Sequence, residues 1–258
     1  MIRGIYTTVS GMNVQIARMD TLSNNLANIN TPGFKKDRTL AEPFTSLLQL
    51  SIRQTGAVSP NNGRVPLGST NLGASVKQVA TDFSPGLLRE TGNNTDFALS
   101  RPGFFVLADP ENEDDIYYTR SGNFHLDENG FLVNDGGYRV IGENGPLQIS
   151  DSEKFTVDEN GSITENENVT GKFYIASFND PGSLERIGSN LYRAREQEPE
   201  QVADPGLMQR FLEGSNVEPV EEMMHMINVA RAYETGQKII QSQDGLLDLA
   251  INKVGVVR

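Results

Sequence analysis

The chain of 258 residues has no cysteine, no tryptophan and only two histidines, and no apolar run in it approaches bilayer-spanning length. Each absence removes a class of function. Without cysteine there are no disulfides and no thiol chemistry, whatever the compartment. A membrane helix needs about 20 consecutive apolar residues. Met1-Ile2-Arg3 opens like a secretory leader, but Asn13, Gln15, Arg18 and Asp20 interrupt any apolar h-region, so no cleaved signal peptide is expected. A zinc site needs three or four converging His, Cys or carboxylate ligands, and nothing around His125 or His225 is spaced for one. There is no G-x-S-x-G elbow, no Walker A loop and no G-x-G-x-x-G opening a helix. The residues therefore point to no catalytic group, cofactor or metal. With no tryptophan and few aromatics, a sugar-binding cleft is also disfavoured.

The net charge of −12 is unevenly spread. Residues 1–60 hold six Lys/Arg against three Asp/Glu, whereas residues 91–170 hold four against sixteen. So acidic a middle is the wrong surface for nucleic-acid phosphates.

Both termini carry apolar side chains at helical seam spacing. At the C-terminus Met226, Ala230, Tyr233, Gln237, Ile240, Asp244, Leu247, Ile251 and Val254 alternate steps of four and three. At the N-terminus Ile5, Val9, Met12, Ile16 and Met19 do the same, and Leu22, Leu26 and Ile29 continue with a shifted phase. Such a/d spacing keeps one stripe turned toward a partner helix. The first helix is expected from about Ile2 to Asn28, ending by Asn30-Thr31-Pro32-Gly33. The last is expected to begin near Pro219, with Glu221 and Glu222 complementing its dipole, and to stop near Gly255.

Between the ends the signals are β-type. Residues 35–75 read as an extended connector, with room for one short helix between Leu40 and Leu50. Residues 76–205 read as a β domain, and the charged, proline-bearing stretch 193–206 reads as a linker into a C-terminal helical segment, 206–258. Phe124 to Val133 and Phe155 to Thr164 form a small repeat, each copy placing Asp-Glu-Asn-Gly between two alternating runs. An EF-hand loop has its glycine sixth and a bidentate Glu twelfth. Here glycine comes fourth, and Asn-Gly in a hairpin turn accounts for the pattern. The expected fold class is thus α+β, with the N- and C-terminal helices (N-terminal segment 1–34) pairing as a coiled coil around a central domain of repeated hairpins.

Three segments carry a resemblance. Ser23-Asn24-Asn25-Leu26-Ala27-Asn28-Ile29-Asn30-Thr31-Pro32-Gly33-Phe34-Lys35 resembles the N-terminal signature of bacterial flagellar rod and hook proteins. Leu212-Glu213-Gly214-Ser215-Asn216-Val217, with Glu221-Glu222-Met223 and Arg231-Ala232-Tyr233-Glu234, resembles their C-terminal signature. Tyr118-Thr119-Arg120-Ser121-Gly122-Asn123-Phe124 is similar to their β-domain segment, and the length fits the FlgF/FlgG rod branch. One departure is Arg101, which stands where the family has glycine ahead of Gly103-Phe104-Phe105. The resemblance implies a structural, non-enzymatic axial subunit of the flagellar basal body, exported through the flagellar type III apparatus. It implies terminal helices lining a tubular shaft that transmits torque, and partners among copies of itself and neighbouring rod and hook proteins. From the residues alone, a secreted β-rich glycan-active enzyme and a coiled-coil fibre or adhesin stay open as alternatives.

Overall fold

A computed structural model of the chain describes residues 2–44, 47–52, 64–71, 73–112, 115–150, 155–165, 168–188, 190–195 and 197–254. The fold is α+β: helix α1 (Ile2–Ala27), a β-rich middle, and helix α2 (Pro219–Leu249). Contacts divide the chain into two units, one of residues 1–24, 37–80 and 220–258, the other of residues 25–36 and 81–219.

In the first unit α1 runs unbroken through Gly11, whose Cβ position faces open space, so glycine there costs only helix propensity. One side of α1 lies on a two-stranded sheet in which Asp37–Pro43 pairs with Ala74–Thr81. Ala74 N donates to Ser10 Oγ (3.3 Å), the Thr21 and Thr39 hydroxyls share a hydrogen bond (2.7 Å), and Val14 between them is buried. Positions 10, 14, 17 and 21 lie on one helical face, which the apolar series starting at Ile5 did not include. Another side of α1 meets α2 at two glycines. A Cβ on Gly236 would come 2.7 Å from Met12 Cγ, and one on Gly4 would come 2.8 Å from Gln243 Nε2. Each helix thus has a notch where the other has a long side chain, and pairing 4 with 243 and 12 with 236 sets the helices antiparallel.

The second unit is built on a ten-stranded antiparallel sheet. Its middle strand, Phe104–Ala108, pairs with Ile116–Thr119, Arg139–Gly142 and Ile175–Ser177. The uninterrupted apolar run in that strand follows from burial of both faces. Phe105 and Leu107 enter one core with Phe97, Phe124, Phe155 and Phe173, while Phe104 and Val106 enter another with Tyr118, Phe178 and Tyr192. Edge-on ring pairs such as Phe105–Phe124 (5.2 Å) and Phe104–Phe178 (5.8 Å) fill these cores.

The two Asp-Glu-Asn-Gly segments form matching turns. Asp127 Oδ1 accepts from Asn129 N (2.9 Å) and Phe131 N (2.8 Å), and Asp158 Oδ1 accepts from Asn160 N (3.1 Å) and Ser162 N (2.7 Å). The glycines have φ of 80° and 84°. His125–Leu126 pairs with Leu132–Val133 across the first turn, and Phe155–Val157 pairs with Ser162–Glu165 across the second. A third turn, Asn134-Asp135-Gly136-Gly137, repeats the geometry with Asn134 Oδ1 as acceptor and Gly137 at φ 80°.

Three segments differ from the sequence reading. Among the described residues between Leu40 and Leu50 there is no helix: Asp37–Pro43 and Leu47–Ile52 are strands, the first paired with Ala74–Thr81 and the second with Arg64–Thr70. Short apolar runs lack a decisive period, and pairing partners settle them. Residues 193–206 are no linker. Glu200–Gln201 pairs with Ile175–Ser177, Val202 N donates to Ile175 O (3.0 Å), Arg195 pairs with Glu185 and Pro205 is buried, so the described part of this charged stretch is held against the β unit. The C-terminal helix begins at Pro219, where it was expected, but the segment assigned to it from 206 opens with strands: Leu207–Gln209 and Phe211–Glu213 pair with Phe97–Leu99 and Leu88–Glu90. Gly255 lies outside the described residues.

Candidate functional site

The three signature segments, far apart in sequence, meet at one buried carboxylate in the second unit. Glu213 ends a short strand, and its side chain is 1% exposed. Its Oε1 accepts from Lys35 Nζ (2.7 Å) and Gly86 N (2.9 Å), and its Oε2 accepts from Arg120 Nε (2.5 Å). Its backbone carbonyl accepts from Gly33 N (2.7 Å). Lys35 and Arg120 are themselves 1% and 7% exposed. Lys35 Nζ also donates to Ser84 O (2.8 Å), and the Arg120 guanidinium donates to the carbonyls of Leu99, Arg101 and Gly103. Two cations therefore share one anion in the interior, with backbone carbonyls accepting from the rest of the guanidinium. Burial pushes the Lys35 ammonium below its usual pKa; Glu213 pulls it back up, and Arg120 lowers it further.

The local chain is shaped for this meeting. Pro32 stops α1 from continuing, and Gly33 turns the chain at φ 66°. A Cβ on Gly33 would sit 2.5 Å from Arg120 C and closer still to Ser121 N, so only glycine lets the two segments touch. Phe34 is buried beneath the Arg186 guanidinium, 4.6 Å from its ring centroid, and Asn190 Nδ2 donates to Pro32 O (3.1 Å). Asn216 completes the junction. Its Oδ1 accepts from Lys36 N (2.8 Å), and its Nδ2 donates to Asp82 O (2.8 Å) and Ser84 O (3.2 Å). Ser215 Oγ accepts from Val217 N (3.3 Å) just before α2.

Of the signature residues, Asn25, Gly33, Phe34 and Val217 are buried; Leu26, Asn28, Thr31, Pro32, Ser215 and Asn216 are half-buried; Asn24 and Ala27 are exposed. Arg231, Ala232 and Glu234 are exposed on α2, where Tyr233 is half-buried. Among the seam residues, Ile5, Met12, Met19 and Leu22 on α1 and Met226, Ala230, Ile240 and Leu247 on α2 are half-buried. Val9, Ile16, Gln237, Asp244 and Ile251 are exposed, and the side chain of Val254 lies outside the described ones. From Glu222 to Ala250 the shielded positions are Glu222, Met226, Val229, Ala230, Tyr233, Gly236, Ile240, Gln243, Leu247 and Ala250. Gly236, Gln243 and Ala250 stand one residue before the expected Gln237, Asp244 and Ile251, which are exposed. The sequence reading did not single out the Lys35–Glu213–Arg120 cluster. Its trace is a charge directly after a buried residue in each motif: Phe34-Lys35, Thr119-Arg120 and Leu212-Glu213.

Nothing in this arrangement is built for chemistry. Its carboxylate is taken up by two cations and a backbone N–H, and among the described residues no group of His, Asp or Glu could hold a metal ion. No described helix is long and apolar enough to cross a membrane. An ion cluster that ties three distant segments of the chain together belongs to the class of structural, fold-locking sites.

Family comparison narrows that class. Residues 5–35 match the family model described as flagella basal body rod protein, residues 98–165 that of the flagellar hook protein FlgE/F/G D1 domain, and residues 208–253 that of the flagellar basal body rod FlgEFG protein C-terminal region. The chain is 36% identical to the flagellar basal-body rod protein FlgG of Borreliella burgdorferi, covering 98% of both chains. It is 33% identical to FlgG of Bacillus subtilis, covering 98% of this chain and 99% of that one. It is 31% identical to the flagellar hook-basal body complex protein FlhO of Bacillus subtilis over the whole of both. The chain belongs to the flagellar basal-body rod protein family, a family of structural proteins and not of enzymes.

Proposed function

We propose that this chain is an axial subunit of the flagellar basal-body rod that polymerises through α1 and α2 into a hollow, torque-transmitting shaft and catalyses no reaction. The observation that carries this reading is the convergence of the three family signatures on Glu213, combined with terminal helices that leave apolar surface in solvent. Tyr6, Val9 and Ile16 on α1 and Val220, Met223, Met224 and Ile227 on the first turns of α2 are all exposed. Contiguous apolar surface of this kind marks an interaction face. Each such side chain fully buried on assembly is worth roughly 1.5–3 kcal/mol. Head-to-tail contacts that do not close on themselves build helical filaments.

The reciprocal glycine notches and the four-three burial spacing along α2 support intrachain pairing of the helices as a short antiparallel coiled coil. The matching Asx turns support a β domain of repeated hairpins, which would form the outer layer of the shaft. The partners on this reading are copies of the chain, neighbouring rod and hook proteins and the flagellar export apparatus, with neither nucleic acid nor membrane insertion involved. The test is a motile strain whose gene copy lacks residues 220–258, with basal bodies purified and imaged by electron microscopy. Rods should be missing or cut short. Rods of normal length containing the shortened chain would end the proposal.

A further inference from the structure

Beside the ion cluster the second unit has a cleft of about 100 Å³. Phe83, Phe104 and Pro181 give it apolar walls, and Lys35, Arg101 and Arg120 line it; no lining residue is acidic. Glu213 balances only one of the two buried cations. The Lys35 ammonium makes two hydrogen bonds, to Ser84 O and Glu213 Oε1, so among the described residues one of its three N–H donors has no acceptor. A buried ammonium with a spare donor, in an apolar cleft with excess positive charge, is matched by an anion on an apolar stem. Arg101, which replaces the glycine of the resembled family, adds a third cation on the exposed side of the cleft, where it also pairs with Asp204.

We propose that this cleft binds a carboxylate on a short apolar stem, supplied in the assembled protein by an acidic side chain of a second copy of this chain. The identity of that occupant rests on the rod-subunit reading; the existence of the site does not. Charge complementarity selects the occupant: residues 91–170 carry sixteen acidic against four basic residues, and Glu111, Glu128, Asp135, Asp158 and Glu159 among them are exposed, so a second copy has carboxylates to offer. The groups acting on Lys35 are Glu213, Arg120 and Asp82, and burial with Arg120 holds its pKa low. A docked carboxylate favours the protonated ammonium, so while the ligand's own carboxyl stays ionised, binding holds below the folded-state pKa of Lys35 and falls as pH rises through it.

The test titrates butyrate into the full-length monomer at neutral pH, followed by amide NMR, with n-butanol as the uncharged control. Butyrate should shift the signals of Phe83, Gly103 and Phe104 with a roughly millimolar dissociation constant, as befits so small a ligand, and n-butanol should not. Arg101→Gln, an exposed change that leaves the fold intact, should weaken binding about two- to fivefold. Lys35→Met should abolish binding while thermal unfolding stays cooperative. Equal binding of butanol and butyrate, no butyrate shift, or unchanged affinity in Arg101→Gln would overturn the site. Saturating butyrate should also slow self-association measured by light scattering. Unchanged assembly kinetics would refute the second copy as occupant. A chain that never assembles would remove both the rod reading and this occupant, and the titration would still decide the site.

Discussion

Replacing Glu213 by glutamine tests whether one carboxylate holds the signature segments together. The amide has nearly the same shape but no charge, and one end of it becomes a donor. Lys35 Nζ and Gly86 N point at Oε1, while Arg120 Nε points at Oε2, so whichever way the amide sits, a donor meets a donor. More important, Lys35 and Arg120 become two like charges, 1% and 7% exposed, with no counter-ion between them. Removing one partner of a buried ion pair costs about 3–5 kcal/mol. For a chain in this size range that corresponds to a fall in Tm of roughly 6–20 °C. Lys35→Met should cost less, about 1–3 kcal/mol for hydrogen bonds lost at Ser84 O and Glu213, because Glu213 keeps Arg120 and the cluster becomes neutral. The double variant should be more stable than the sum of the two single losses predicts. Urea and thermal unfolding followed by circular dichroism and tyrosine fluorescence give the ordering. Glu213→Gln within about 1 kcal/mol of the parent, or Lys35→Met the worse of the two, would refute the argument.

Three further outcomes follow from the same geometry, along with a pH signature of the cluster. Lys35 has a folded pKa below its ordinary 10.5, so between those values the unfolded chain binds more protons and stability rises with pH; this slope should vanish in Lys35→Met when the two proteins are compared across the alkaline range. Gly33→Ala, with φ at 66° and backbone atoms against its Cβ, should lower the urea midpoint far more than Gly92→Ala, which shares a positive φ but faces open space. Gly130→Val should destabilise more than Gly161→Val, since its Cβ would meet Ile149 O at 2.8 Å whereas the other meets Phe173 Cβ at 3.4 Å; chelator should leave both melting curves unmoved, and a calcium-reversible shift would contradict turns closed by backbone N–H groups. Leu247→Asp, at a half-buried position of α2, should block assembly more than Leu249→Asp on the exposed side, as read by motility and by basal-body yield; equal defects would mean that the wrong face was chosen.

The local signals were legible wherever one residue type answers one geometric demand. Proline and glycine fixed the end of α1, Pro219 marked the start of α2, and Asn-Gly marked two turns. The third turn escaped because its acceptor is Asn134 and its glycine follows another glycine, although the rule of Asx followed three residues later by glycine covers all three. Half of the α2 stripe was visible in Met226, Tyr233, Ile240 and Leu247. Among the rest, Gly236 and Gln243 are shielded because α1 presents Met12 and Gly4 to them, and apolarity alone finds neither. The ion cluster was illegible as a cluster. Its charges stood in motifs already noticed, but 93 residues separate Arg120 from Glu213 and 178 separate Lys35 from it, and nothing local announces such a partnership.

Those separations have a kinetic meaning. Loop-closure entropy grows slowly with length, about 0.6 kcal/mol for each doubling, but it must be met before the contact gives anything back, which is why non-local topologies fold late. A chain made from its N-terminus produces Lys35 and Arg120 long before Glu213. Until that last strand arrives, burying either cation is unfavourable, and the segment around Phe34 has no stable place to dock. The second unit is therefore a structure that completes itself in one late step. In a nascent chain this junction stays open up to residue 213, and a single carboxylate then closes it.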